Sequence, residues 1–188
     1  MKRSQADSRK KGKMTGNVTI ADYDPQWPIL YEAEKAQILA ATREAIVAIE
    51  HVGSTAVPGL GAKPVIDIMA AVHSLSDAER CIEPLQRIGY QYKPKLEADI
   101  PERRYFSKGP AEAHRHLHVV ELGSDFWQRL LLFRDALRAD AAVARQYEQL
   151  KRELAARFGQ NRPAYTEAKT PYIESVVAKA RAANEGHR

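Results

Sequence analysis

The chain of 188 residues has a single cysteine, Cys81, and so cannot close an internal disulfide; a reducing, cytoplasmic compartment is expected. No apolar run approaches the roughly 18–20 residues that span a bilayer, and no secretory hydrophobic segment follows the basic start, so a membrane partner is not expected. Phosphate-loop signatures are missing too. Gly53 is not followed five residues later by Gly-Lys-Ser/Thr, and no G-x-G-x-x-G occurs. An excess of one charge is also lacking over most of the chain. Residues 1–16, "MKRSQADSRKKGKMTG", hold six Lys/Arg and one Asp, which leaves 23 basic and 23 acidic residues elsewhere. The net charge of +5 is therefore local. This tail reads as a disordered basic extension, with Met14 as a second candidate start. Such a tail has the charge to touch nucleic acid or a membrane surface, and no nucleic-acid contact is expected beyond it.

What is present is enough for one domain over 17–188, since 44% of residues are hydrophobic and a domain of this size buries roughly 70% of its unfolded surface. "VTIADYD" reads as a short strand, followed by a long helix that Asp24 caps and Pro25 opens. "AIEHVGS" reads as a strand entering a glycine turn. "PVIDIMAAV" is a continuous β-favouring run, as for a central strand covered on both faces. "SLSDAERCIEPLQRIGY" reads as a helix with Ser76 and Glu79 in capping-box spacing and Gly89 at its end. "YQYKP", "RRYFSK" and "HRHLHVVEL" read as three further strands. From Ser124 the chain reads as helical, with a break at residues 159–163 and a last helix from Thr170-Pro171. The order predicts an α+β (α/β-like) fold: a mixed sheet with an N-terminal helix and a C-terminal helical layer.

The chemistry gathers in residues 51–72, "HVGSTAVPGLGAKPVIDIMAAV". A Gly-Ser-Thr turn exposes N–H groups and two hydroxyls, the ingredients of a phosphate grip. Asp67 then stands inside an apolar strand, where an ionisable group is costly unless paired or used. Twelve residues separate Ser54 from Asp67. This spacing resembles the signature of the DNA-polymerase-β-like nucleotidyltransferase superfamily, Gly-Gly/Ser followed about a dozen residues later by Asp-x-Asp on a strand. Together, "EHVGSTAVPGLGAKPVIDI", "RRYFSK", "HLHVVELGS", "FRDALR", "YEQLKREL" and "YTEAKTPYI" resemble the GrpB/UPF0157 family from about Val18 to Ala180. The resemblance implies a nucleotidyltransferase fold. It also implies metal-dependent nucleotidyl transfer to a small-molecule acceptor, with Mg²⁺ and a nucleoside triphosphate or other phosphorylated small molecule as partners.

On that resemblance Asp67 is the expected catalytic and metal-binding carboxylate, but the position two residues on is Met69. A thioether is a poor ligand for Mg²⁺. Glu121, after "HLHVV", is the preferred second acid, with Glu50, Glu97 and Asp99 as alternatives. Gly53, Ser54, Thr55, Lys63, Arg104, His116 and His118 are the expected nucleotide or phosphate contacts. Arg103 and Arg104 must face opposite sides of a strand, and Arg104 is preferred; Lys108 ranks below both. His114, His116 and His118 share one strand face, and His51 stands beside the turn. A non-catalytic phosphate-binding module and a hydrolase built on the histidine row and Asp67 remain the alternatives.

Overall fold

The computed structural model describes residues 18–110 and 114–185; the expectation for the tail, residues 1–16, lies outside them. Five strands form one sheet in the order β1-β2-β5-β4-β3: β1 (Ala48–Val52), β2 (Val65–Val72), β3 (Gln91–Tyr92), β4 (Arg103–Lys108) and β5 (His114–Glu121). Only the central pair, β2 with β5, runs parallel; the other pairs are antiparallel.

The continuous apolar run of β2 is explained by cover on both faces. Ile66, Ile68, Ala70 and Val72 point into a core made with Trp27, Tyr31 and Ile38 of helix α1 (Gln26–Thr42), Leu85 of helix α2 (Ile82–Arg87), and Leu117 and Val119 of β5. Met69 and Ala71 point the other way, onto Phe126 and Trp127 of helix α3 (Asp125–Ala139). Full burial of each such side chain stabilises the fold by roughly 1.5–3 kcal/mol. Helices α4 (Ala141–Phe158) and α6 (Thr170–Glu185) build a further core with α3 and the 57–60 loop, and the short α5 (Arg162–Ala168) links them. The second face of the sheet is thus covered by α3 near Met69 and Ala71, and Asp67 keeps a side-chain exposure of 30%.

Four expectations are corrected. The "VTIADYD" strand reduces to one bridge, Ala21 to Ala62. "YQYKP" pairs only at Gln91 and Tyr92, because Pro94 has no N–H to give a ladder. The helix at 75–88 is a 3₁₀ segment, Leu75–Cys81, followed by α2. Pro84 cannot bond back to Arg80 and crowds its carbonyl, which prevents one continuous α-helix. Its cap is Ser74 with Asp77, not Ser76 with Glu79. Lastly, the break at 159–163 is present but shorter, residues 159–161; Pro163 already sits in the first turn of α5, where Asn161 caps the N–H of Ala164 at 3.2 Å.

Candidate functional site

Register places the site. Across four strands the Cα partners run Val52, Asp67, His116, Ser107, and in the next row Glu50, Met69, His118, Tyr105. Laterally paired residues project to one side, so Asp67 and the histidines at 116 and 118 share the face opposite α1. Gly53 follows Val52 directly, with φ 73° and ψ −174°, a region open to glycine alone. Its backbone lies against the acid: a Cβ there would stand 2.6 Å from Asp67 Oδ2.

Asp67 Oδ1 lies 2.9 Å from His116 Nδ1. Burial opposes ionisation of Asp67, but the His116 hydrogen bond and the nearby His116 and Lys63 charges outweigh it, and the carboxyl is held below its ordinary range. An ionised Asp67 can only accept, so His116 donates from Nδ1 and leaves Nε2 for other partners. His118 is differently employed. Its Nδ1 is 2.7 Å from the Arg103 guanidinium, which only donates, so His118 is neutral with its proton on Nε2. Burial, then Arg103, pushes its pKa down to about 3. The Arg103 guanidinium lies 4.7 Å from the Tyr105 ring centroid. His114 bonds to the Gly109 carbonyl at 3.0 Å and meets the His116 ring edge-on at 5.0 Å.

Lys63 and Lys169 approach the ring of Tyr165, their Nζ atoms 5.8 and 4.6 Å from its centroid. Burial first, then the charges of Arg162 and Lys169, pushes the pKa of Lys63 down to about 8. Lys169 is lowered by burial and Arg162, against the opposing pull of Asp67. Ser54 is hydrogen-bonded to the buried Tyr147.

Several expected residues stand elsewhere. Glu121 pairs with Val72, on the opposite face from His116 and five residues farther along β5, about 16 Å at strand rise; it cannot share an ion with Asp67. Arg104 also faces away, toward Glu97 at 3.5 Å and Glu79 at 3.8 Å. Arg103 is the member of that pair on the site face. Lys108 is on the far face with Glu34. Thr55 is buried at 1% exposure, and its hydroxyl donates to the Val65 carbonyl at 3.0 Å. That proton being spent, His51 Nε2 must donate to Thr55 Oγ1 at 3.0 Å. His51 stacks on Tyr31 at 4.6 Å, and burial takes its pKa down to about 4. Both residues brace the turn instead of facing a ligand. Glu50 is on the site face opposite Met69, but Arg134 holds it at 2.6 Å.

Two hard cations need several oxygen ligands. Here the residues beside Asp67 supply an imidazole from His116 and a thioether from Met69, with His118 opposite the latter. Among the described residues no group of three His, Cys, Asp or Glu is placed to hold a metal ion. The donor set does not fit a two-ion centre.

The sheet order and flanking helices are those of the nucleotidyltransferase fold. The Cid1 poly(U) polymerase in its MgGTP-bound structure matches 79% of this chain and 50% of its own, with TM-score 0.53 and 14% identity, a likeness of fold alone. The particular family is defined by closer matches. The GrpB protein family profile matches residues 17–179, and the chain belongs to that family. A UPF0157 protein of Halalkalibacterium halodurans is 36% identical over 166 residues, 88% of this chain and 84% of that one. The solved structure of GrpB from Enterococcus faecalis is 31% identical, with TM-score 0.78, over 86% of this chain and 96% of that one.

Reasoning from sequence missed Arg162 and Tyr165, which stand with Lys63 and Lys169, and Tyr147 near Asp67. A signal existed for two of them: Arg162, Tyr165 and Lys169 fall at i, i+3 and i+7, one face of a helical turn.

Proposed function

We propose that the protein binds a nucleotide, or a similar phosphorylated small molecule, on the Asp67 face of the sheet without a two-ion carboxylate centre. The observation that carries this is the 2.9 Å contact between Asp67 and His116. The acid that would anchor metal is already engaged with an imidazole, and its strand companion is Met69. The nucleotide half of the reading draws support from the fold, since Cid1 is described with MgGTP bound. It also draws on the Gly53-Ser54 turn, whose backbone packs against the Asp67 carboxylate. On this reading Mg²⁺ reaches the site only as the counter-ion of the nucleotide's own phosphates.

A second reading is nucleotidyl transfer to a small-molecule acceptor, with Asp67 as a metal ligand. One observation favours it: Asp67 is held ionised and is 30% exposed. Thermal shifts with UTP and ATP, with and without Mg²⁺ or Mn²⁺, separate the two. The first reading expects stabilisation in EDTA that Asp67→Asn retains or strengthens, because the introduced amide oxygen still accepts from His116 and the neutral side chain no longer repels phosphate. Binding that requires the divalent ion, vanishes in Asp67→Asn, and is accompanied by pyrophosphate release would replace it with the second.

A further inference from the structure

We infer that Lys63, Arg162 and Lys169 form a cradle, floored by the Tyr165 ring, for a phosphate group carrying two or more negative charges. The inference rests on the nucleotide-site reading above and names the side chains that would take the ligand's phosphates.

The geometry begins with Tyr165, buried at 1% exposure and therefore a fixed floor. Lys63, on the loop between the Gly-Ser turn and β2, and Lys169, at the α5–α6 junction, reach this one ring from separate segments. Arg162 opens α5 on the same helical face as Tyr165. Its charge lowers the pKa of Lys63, Lys169 and His114, after burial in each case. Among the described residues, none of the three cations makes an ion pair or hydrogen bond with a carboxylate. Several half-buried cations elsewhere are matched with acids, Lys108 and Arg115 with Glu34, Arg134 with Glu50 and Asp135, Arg104 with Glu97, while Lys151 bonds the Gly61 carbonyl and Arg103 bonds His118. Here the nearby acid is Asp67, already bonded to His116.

Like charges brought together disfavour the empty protein; burial is the first cause of the lowered pKa of Lys63 and Lys169, and the Arg162 charge adds to it in each. An anion offsets it. A terminal phosphate or a diphosphate presents several oxygens at once and so suits three converging donors better than a carboxylate does. The cradle adjoins Asp67 and His116, so a phosphate seated in it lies beside the pair.

The test uses inorganic pyrophosphate as probe, with the full chain, in EDTA at low salt, by calorimetry. Saturable binding is expected. Lys63→Gln and Lys169→Gln should each weaken it by about tenfold or more, the loss of one charged hydrogen bond. Lys179→Gln, at an exposed position on α6, should leave it unchanged. A second readout needs no ligand: removing one repelling charge should leave the melting temperature of Lys169→Gln equal to or above that of the wild type. No saturable pyrophosphate binding, or an equal loss in Lys179→Gln, overturns the cradle, as does a lowered melting temperature with unchanged affinity. The broader reading fails separately. If UTP and ATP bind no tighter than pyrophosphate, the cradle stands without a nucleotide site; if they bind while pyrophosphate does not, the nucleotide reading stands without the cradle.

Discussion

Replacing Gly53 by alanine tests whether the turn is built around the Asp67 carboxylate. Two costs are expected. At φ 73° and ψ −174° a side chain is strained by roughly 1–3 kcal/mol. The added Cβ would also meet Asp67 Oδ2 at 2.6 Å, Cβ at 3.1 Å and Cγ at 3.2 Å. Swinging the carboxylate aside relieves the first contact only by breaking its 2.9 Å bond to His116, and the other two persist. Overpacking of this kind costs roughly 1–3 kcal/mol. The sum is about 2–6 kcal/mol, or about 4–24 °C in melting temperature for a domain of this size. Gly59→Ala is the matched control. It has φ 77° with nothing within 4 Å of the added carbon, so only the backbone term of about 1–2 kcal/mol applies. Urea unfolding of both variants at pH 7.5 gives the comparison. Equal losses would refute the close approach of Gly53 to Asp67, and with it the view that glycine is required there for the site.

Acid should destabilise the protein between about pH 6.5 and pH 4. His51 and His118 have pKa values lowered to about 4 and about 3, so below pH 6.5 the unfolded chain takes up protons that the folded one refuses. Each costs about 2 kcal/mol at pH 5; urea midpoints that are flat from pH 7.5 to 5 would show that these rings are not held neutral. Glu34→Gln, at a residue 2% exposed and 2.7 Å from both Lys108 and Arg115, should cost about 3 kcal/mol in chemical denaturation, because two cations lose their counter-charge. Arg134→Met should cost about 2 kcal/mol, since Arg134 Nη1 donates to Glu50 and to the His51 carbonyl; an unchanged midpoint would place those bonds among the inconsequential ones.

The parts of the fold that were legible are those set by local pattern. β2, β4 and β5 lie where their apolar runs and alternation put them, because a strand buried on both faces has few other ways to be written. Asp67 and His116, expected from an acid with no local partner and from a same-face histidine row, are brought together by the parallel β2–β5 pairing. The residues that went astray depend on quantities a single strand does not carry. Whether Arg103 or Arg104 reaches the site is decided by how β4 registers on β5, which is a tertiary fact. Glu121 answers the expectation of a carboxylate on a neighbouring strand, but its offset of five from His116 is odd and therefore points to the other face. Arg162 stayed hidden because Pro163 was read as a breaker, when a proline in a first turn starts a helix equally well.

The missing second acid and the histidine beside Asp67 make sense as one change in local charge. Asp67 accompanied by two further carboxylates would repel phosphate, and metal ions would have to stand between them. With Met69 at one position and His116 at the other, and Glu50 neutralised by Arg134, Asp67 is the one unmatched carboxylate beside Lys63 and Lys169 among the described residues. Unit charges 4 Å apart interact by about 4 kcal/mol at an effective dielectric of 20, so the sign of the sum outweighs its details. That sum is positive before any ion is added, so on the proposed reading the side chains would do what bound metal does elsewhere, drawing phosphate in and screening it. A site of this kind loses affinity as salt rises, since its attraction is made by partly exposed charges, while EDTA leaves it untouched. A metal-bridged site answers in the opposite order, which makes the pair of titrations a direct measurement of which charges hold the ligand.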